Sequence, residues 1–355
     1  MHRLFSSTAW LALLAIGFSN SFVNADDAQT FEFRDNERVA FVGGSLAERM
    51  NLFGHFESLL QSNFGEKKLL IRNFGWPADE VGKQQRPNDY TKIDNPLEVF
   101  SPELFICYFG FNEHFAGSSD KDVAKFVKDY KSWMETHRKK FSKDGRPVRF
   151  VLVSPIPFEK TSDELLPVAK NNNDNLKPYV SAIEKLAKEM KLPYVDLFNT
   201  QIEKFTENGD LDLTINGVHL NEAGDELIAE SMAAQLFSQN PLKRNDKFEQ
   251  LRTTVNDKSW LHLQDYRMLN GWYVYGRRRT WDKETFPGEF KKIREMVSVR
   301  DQYIWDLATG KEVPESPDDS KTGEVFIPGT MFGTCLLYTS PSPRDQRGSR
   351  MPSSA

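Results

Sequence analysis

Arg38-Val-Ala-Phe-Val-Gly-Gly-Ser-Leu-Ala-Glu48 sets how the rest of the chain is read. Val39 to Val42 are β-branched or apolar, as a buried strand requires, and Gly43-Gly44 then break the pattern. Ser45 follows, and Leu46, Met50, Leu52, Phe53, Phe56, Leu59 and Leu60 recur at roughly helical spacing. A strand, a glycine turn and a serine at a helix start put a hydroxyl at the carboxyl end of a sheet, the edge where open α/β folds bind ligands. The backbone N–H groups of a helix start also point toward whatever that hydroxyl attacks. Ser45-x-x-Glu48 is equally a capping-box pattern, in which Ser45 would only cap its helix. Ala47 excludes the G-x-S-x-G elbow.

Further strands are expected at Lys67 to Asn73, Leu104 to Phe109, Val148 to Val153 and Leu192 to Phe198. The run from Leu104 is apolar throughout, which implies cover on both faces. Helices are expected at Asp120 to Lys140, Asn173 to Met190 and, capped by Asn221, from Glu222 to Phe237. Phe31-Glu-Phe-Arg reads as a lead-in segment or short edge strand. Strands alternating with helical crossovers argue a doubly wound parallel α/β sheet spanning residues 36–240. After Pro241 the apolar strands stop, and Lys243 to Asp257 and Phe286 to Trp305 look helical. Residues 241–311 are therefore expected to form a helical appendage packed on the first domain. Residues 312–334 read as a linker to an incomplete next element.

With 46 Lys+Arg against 51 Asp+Glu, no field favours nucleic acid or an anionic membrane. Two cysteines, Cys107 and Cys335, make neither a disulfide nor a metal framework, and Cys107 reads as a small buried hydrophobe. Residues 1–25 have the shape of a secretory signal peptide: His2 and Arg3, an apolar stretch from Ala9 to Phe18, and small residues at Val23-Asn24-Ala25. A secreted or periplasmic protein is the expectation, with no transmembrane segment beyond the signal. Residues 335–355 are rich in Ser, Pro and Arg without apolar period, and read as a non-native disordered tail.

Distinctive residues stand after the expected strands: Ser45, Gly75, Asn112 and, before the last helix of the sheet domain, His219. In a parallel sheet these loops open on one edge, and their chemistry fits acyl transfer. Ser45 would attack, His219 would take and return the proton, and the N–H groups of Ser45 and Gly75 with the Asn112 amide would hold an oxyanion. On these residues the chain resembles the SGNH hydrolases, the GDSL esterase/lipase superfamily. Gly43-Gly-Ser-Leu46 stands for its Gly-Asp-Ser-Leu block, and Asn73-Phe-Gly75 for the block with the oxyanion glycine. Gly110-Phe-Asn112-Glu113 stands for the Gly-x-Asn block, and Asn216-Gly-Val-His219 for the block of the catalytic histidine. The resemblance implies a flavodoxin-like three-layer sandwich with a five-stranded parallel sheet. It also implies a metal-independent Ser–His ester hydrolase that needs no cofactor. It is closest to a bacterial secreted subgroup with a C-terminal appendage, in which a haem domain often follows. No Cys-x-x-Cys-His occurs here, so no haem is expected in this chain.

Two positions depart from the pattern. Gly44 replaces the aspartate of Gly-Asp-Ser-Leu, with little expected effect. Asn216 replaces the triad aspartate, and the equivalent change in a serine protease costs roughly 10⁴ in turnover because the histidine takes the wrong tautomer. Either Asp212 or a backbone carbonyl orients His219, or a slow Ser–His pair works alone, or the site is inactive. The leading expectation is a carbohydrate O-deacetylase. Its alternatives are a catalytically inactive module that binds a glycan or a partner domain, and an acyltransferase with the same residues. Trp76, Phe111 and His114 are candidate substrate contacts, with Phe115 flanking them. His55, His137 and His262 read as packing or surface residues, and Arg277-Arg-Arg279 as a solvated cluster.

Overall fold

A computed structural model describes residues 31–84, 96–143, 145–207, 211–267 and 285–325. The expected leader, the 335–355 tail and Arg277-Arg-Arg279 lie outside them. Five strands form one parallel sheet in the order β2-β1-β3-β4-β5: β1 Arg38–Gly43, β2 Leu70–Asn73, β3 Leu104–Tyr108, β4 Arg149–Val153 and β5 Tyr194–Val195. The helices, in chain order, are α1 Ser45–Phe53, α2 His55–Asn63, α3 Pro96–Phe100, α4 Asp120–Phe141, α5 Ala169–Met190, α6 Leu197–Glu207, α7 Glu222–Leu236, α8 Phe248–Tyr266 and α9 Thr285–Ala308.

The layering follows from strand alternation. Val39 and Phe41 of β1 face one core with Met50, Phe56, Leu60, Ile228 and Met232 from α1, α2 and α7. Ala40 and Val42 face the other, with Phe126, Tyr130, Tyr179 and Ile183 from α4 and α5. Each such large apolar side chain, fully buried, contributes about 1.5–3 kcal/mol. The result is the flavodoxin-like three-layer sandwich.

Several boundaries differ from expectation. The helix after Ser45 is two helices, broken at Gly54, whose φ of 68° is left-handed. A Cβ there would run into Asn256 Oδ1, so α8 packs directly on the break. The stretch Leu192 to Phe198 yields only the two-residue β5, because Leu197 already begins α6. Phe31 to Arg34 forms no strand, although Phe31 and Phe33 are buried beside Phe237. Lys243 to Asp257 begins too early: α8 starts at Phe248 and runs on to Tyr266.

The two helices after the sheet region cover its open side. β2 is an edge strand, and an edge leaves every second carbonyl unpaired. Here those carbonyls accept side-chain donors: Leu69 O from Trp305 Nε1 at 3.1 Å, Ile71 O from Lys258 Nζ at 3.2 Å, and Asn73 O from His262 Nε2 at 3.1 Å. Tyr266 donates to Phe74 O at 2.7 Å. Beneath them, Lys258 pairs with Glu57, and Arg72 pairs with Asp301, all four buried. His262 and His55 are thus packing residues, and the ring of His137 stacks on Trp133. Cys107 is a buried free thiol, its pKa pushed up by burial so that it stays protonated.

Candidate functional site

Ser45 is the first residue of α1, and Gly44 precedes it as the cap with no side-chain cap hydrogen bond. The capping-box reading of Ser45 therefore fails: its hydroxyl is not used to start its helix. Glu48, the other half of that pattern, instead pairs with Arg267 at 2.9 Å. Glu48 N–H donates to Gly44 O at 3.2 Å, whereas the N–H groups of Ser45 and Leu46 before it have no intrahelical acceptor, the feature that suits a helix start to an anion.

Across from Ser45, the segment between α6 and α7 folds back on itself. Thr214 bridges Leu220 in antiparallel sense, Ile215 N–H donates to His219 O at 2.8 Å, and Asn221 N–H donates to Leu213 O at 3.0 Å. Gly217 has a φ of 85°, which suits glycine at the tip. Arg49, one turn along from Ser45, donates through Nε to Leu220 O at 2.8 Å and ties the serine helix to this loop. Ser45 and His219 line one recess together with Gly44, Leu46, Tyr108, Phe111, Pro155, Ile156 and Val218.

The orientation of His219 comes from Asn216. Its Oδ1 accepts from His219 Nδ1 at 3.0 Å, from His219 N–H at 3.1 Å and from Val218 N–H at 3.4 Å. Turning the amide over would set its NH₂ against two backbone N–H groups, so the oxygen stays in place. Nδ1 then carries the proton, and Nε2 is left as the basic nitrogen. Asn216 itself, rather than Asp212 or a backbone carbonyl, is the acceptor. Burial holds the imidazole below its usual range, Arg49 pushes the same way, and Glu48 opposes them. At neutral pH the ring is uncharged, the form a general base needs.

The expected oxyanion donors divide. Asn112 Nδ2 donates to Asp79 O at 3.0 Å, and a Cβ on Gly44 would lie 2.5 Å from that nitrogen. Asn112 is thus against the residue before Ser45, in a gap that only glycine leaves. Gly75 is not so placed. Its N–H donates to Asn73 Oδ1 at 2.8 Å, and a Cβ on it would run into Glu48 N and Ala47, on the packed side of α1. In the same loop Ala78 is exposed, with a left-handed φ of 64°. Alanine gives no sign of positive φ in a sequence, so this turn was not legible there.

Of the candidate substrate contacts, Phe111 lines the recess and stacks on Phe158 at 5.1 Å. His114 is buried, bonded through Nδ1 to Phe111 O and enclosed by Phe111, Phe115 and Phe158. Trp76 is half-buried against Tyr266, with Arg267 over its ring. Phe115 is exposed. Glu113 accepts from Val81 and Gly110 N–H, both at 2.8 Å, and so braces the Asn112 loop. Among the described residues, no cluster of three or more His, Cys, Asp or Glu is arranged to hold a metal, and no helix is long and apolar enough to cross a membrane.

A parallel sheet of order 2-1-3-4-5, with the serine after β1 and the histidine on the loop before α7, defines an SGNH-type α/β fold. The chain belongs to the GDSL-like lipase/acylhydrolase family, whose sequence model matches residues 20–232. A GDSL esterase/lipase from Oryza sativa subsp. japonica, WDL1, is 26% identical over 147 residues, which are 39% of this chain and 54% of that protein. The chain thus spans about half the length of the curated relative it matches. Among solved structures, the acetyl xylan esterase AlAXEase is similar at a TM-score of 0.41 and 20% identity, over 55% of this chain and 97% of that one. A catalytic mutant of Axe2, an acetylxylan esterase from Geobacillus stearothermophilus, gives a TM-score of 0.44 at 13% identity, over 60% and 100%.

Proposed function

We propose that this protein is a serine ester hydrolase, a carboxylic ester hydrolase that removes small acyl groups, acetyl above all, from carbohydrate alcohols. The observation that carries the reading is the shared recess of Ser45 and His219, with Nδ1 held by a fixed Asn216 oxygen. His219 Nε2 takes the Ser45 proton as Oγ bonds to the ester carbonyl carbon. The resulting oxyanion is held by the Ser45 N–H and by the Asn112 amide. Collapse breaks the ester C–O bond, and the imidazolium gives its proton to the departing alcohol. Water, activated by the same imidazole, then frees the acid from Ser45.

The preference for a small acyl group is supported by the narrowness of the recess. Its cavity volume is about 20 Å³, enough for about one water-sized group. The carbohydrate assignment is supported by the export-like leader and by the partly exposed aromatic rings of Trp76 and Phe111. Purified protein should hydrolyse p-nitrophenyl acetate faster than the butyrate, and should release acetate from a peracetylated sugar. Activity unchanged in Ser45→Ala would overturn the assignment. Folded protein that a fluorophosphonate fails to label at Ser45 would point to a binding module instead. Acetyl transfer to an added alcohol in preference to water would point to the acyltransferase.

A further inference from the structure

We propose that Glu159 and Thr214 form a positioning pair that fixes which way the Asn216 amide faces, and through it which ring nitrogen of His219 carries the proton. Its catalytic meaning rests on the function proposed above, whereas the tautomer itself does not.

Glu159 follows β4 and is 3% exposed. Among the described residues no lysine or arginine forms an ion pair with it; its carboxylate is answered by the histidine loop. Oε1 accepts from Asp212 N–H at 2.9 Å and Leu213 N–H at 2.8 Å, and Oε2 accepts from the Thr214 hydroxyl at 2.5 Å. Hydrogen bonds to an ionised acceptor are roughly twice as strong as neutral ones. With its proton committed to Glu159, Thr214 Oγ1 presents a lone pair the other way, where it accepts Gly217 N–H at 2.8 Å. Glu159 N–H donates in turn to Gly217 O at 2.8 Å. Both polar groups of Gly217 are therefore held by this pair.

Asn216 immediately precedes Gly217, and Val218 and His219 immediately follow it. Fixing Gly217 fixes the two N–H groups that converge on Asn216 Oδ1. An isolated asparagine beside a histidine can present its oxygen or its NH₂, and only the oxygen leaves Nε2 basic. An aspartate would need no such help, since either oxygen accepts. A neutral residue at position 216 does need it, and the buried carboxylate one residue shell away supplies it without touching the imidazole.

The test uses Thr214→Val, which keeps shape and removes the hydroxyl, Thr214→Ser, which keeps the hydroxyl, and Glu159→Gln. Protein labelled with ¹⁵N-histidine reports the His219 tautomer directly, and p-nitrophenyl acetate kinetics report turnover. In the parent and Thr214→Ser, the His219 shifts should show protonated Nδ1, with turnover within about threefold of one another. Thr214→Val should lower kcat by about 10² at unchanged KM and show a growing Nε2-protonated fraction, with Glu159→Gln between the two. Parent-like shifts and kcat in Thr214→Val would overturn the proposal. Equal impairment in Thr214→Ser would do so too, because then the methyl packing and not the hydroxyl matters. If the parent shows no Ser45-dependent turnover, the ester hydrolase reading fails, while the tautomer measurement still decides this one.

Discussion

Restoring the carboxylate in Asn216→Asp separates two contributions that a triad aspartate normally makes together. One is orientation of the imidazole, which the pinned amide already provides. The other is charge. With Oδ1 3.0 Å from Nδ1, the centres of a carboxylate and an imidazolium would lie about 4 Å apart. Their attraction at that distance is about 1 kcal/mol in water and about 4 kcal/mol at an effective dielectric constant of 20. His219 is half-buried and falls between these limits. At 1.36 kcal/mol per unit, its pKa should rise by about 1–3 units. In the parent, burial and Arg49 hold that pKa below its usual range, so the acid limb of kcat/KM should lie below pH 6.5. The variant's limb should move to higher pH, and its plateau turnover should rise about tenfold, since the proton is only partly transferred in the transition state. Initial rates on p-nitrophenyl acetate from pH 5 to 9 read both quantities. An unmoved limb would mean that residue 216 does not meet the imidazole. A gain near the full 10⁴ attributed to a triad aspartate would mean that the parent histidine sits in the wrong tautomer, and the argument from the pinned oxygen would collapse.

Gly44→Ala should fold normally, because its cap φ of −78° suits alanine and the Cβ clash is with the end of the Asn112 side chain. Displacing that amide should cost about 10²–10³ in kcat, as loss of one oxyanion donor does; a parent-like kcat at full occupancy would show that Asn112 plays no part. Asn112→Ala should lose a similar factor while Ser45 still reacts with a fluorophosphonate, and complete loss of labelling would count against its donor role. Burial raises the Asp225 carboxyl to about 7, against the His55 N–H and Arg252, so folding favours its protonated form. That stability is present below about pH 4 and is lost as pH rises through 7, so Asp225→Asn should raise Tm more at pH 8 than at pH 5. An equal gain at both would refute it. Lys258→Met strands Glu57 in the interior and should cost about 3–5 kcal/mol in urea titration, most of it recovered by adding Glu57→Leu. A single variant as stable as the parent would show that the pair contributes nothing to docking α8.

The central strands and the two long helices α4 and α5 were legible because their apolar residues keep one period without interruption. Where two elements share an apolar run, periodicity alone cannot separate them. Tyr194-Val-Asp-Leu-Phe198 holds both a two-residue strand and the first turn of α6, and its composition suits either. At Gly54 the helical spacing continues across a break made by a left-handed glycine, against which Asn256 of a distant helix packs. The cover over β2 was legible as an appendage but not as an edge cap, since nothing local tells Trp305, Lys258 and His262 that they will meet alternate carbonyls of one strand.

The site divides along the same line. Ser45, Asn112 and His219 stand where the chain leaves or rejoins the sheet; Ser45 and His219 line one recess, and Asn112 lies against Gly44. Gly75 was assigned from its motif, but the direction of a single N–H depends on which acceptor is nearest, and Asn73 Oδ1 is two residues away. Asn216 shows the same dependence in reverse. Read alone, the substitution removes a charge and invites the wrong tautomer. Read in place, it sits on a tip whose neighbouring peptide is gripped by Glu159 and Thr214, residues that no motif singles out. A buried carboxyl group from the segment after β4 therefore still serves this loop, but it holds the backbone and not the imidazole. Such an arrangement keeps the geometry of a triad while giving up the electrostatic part of it.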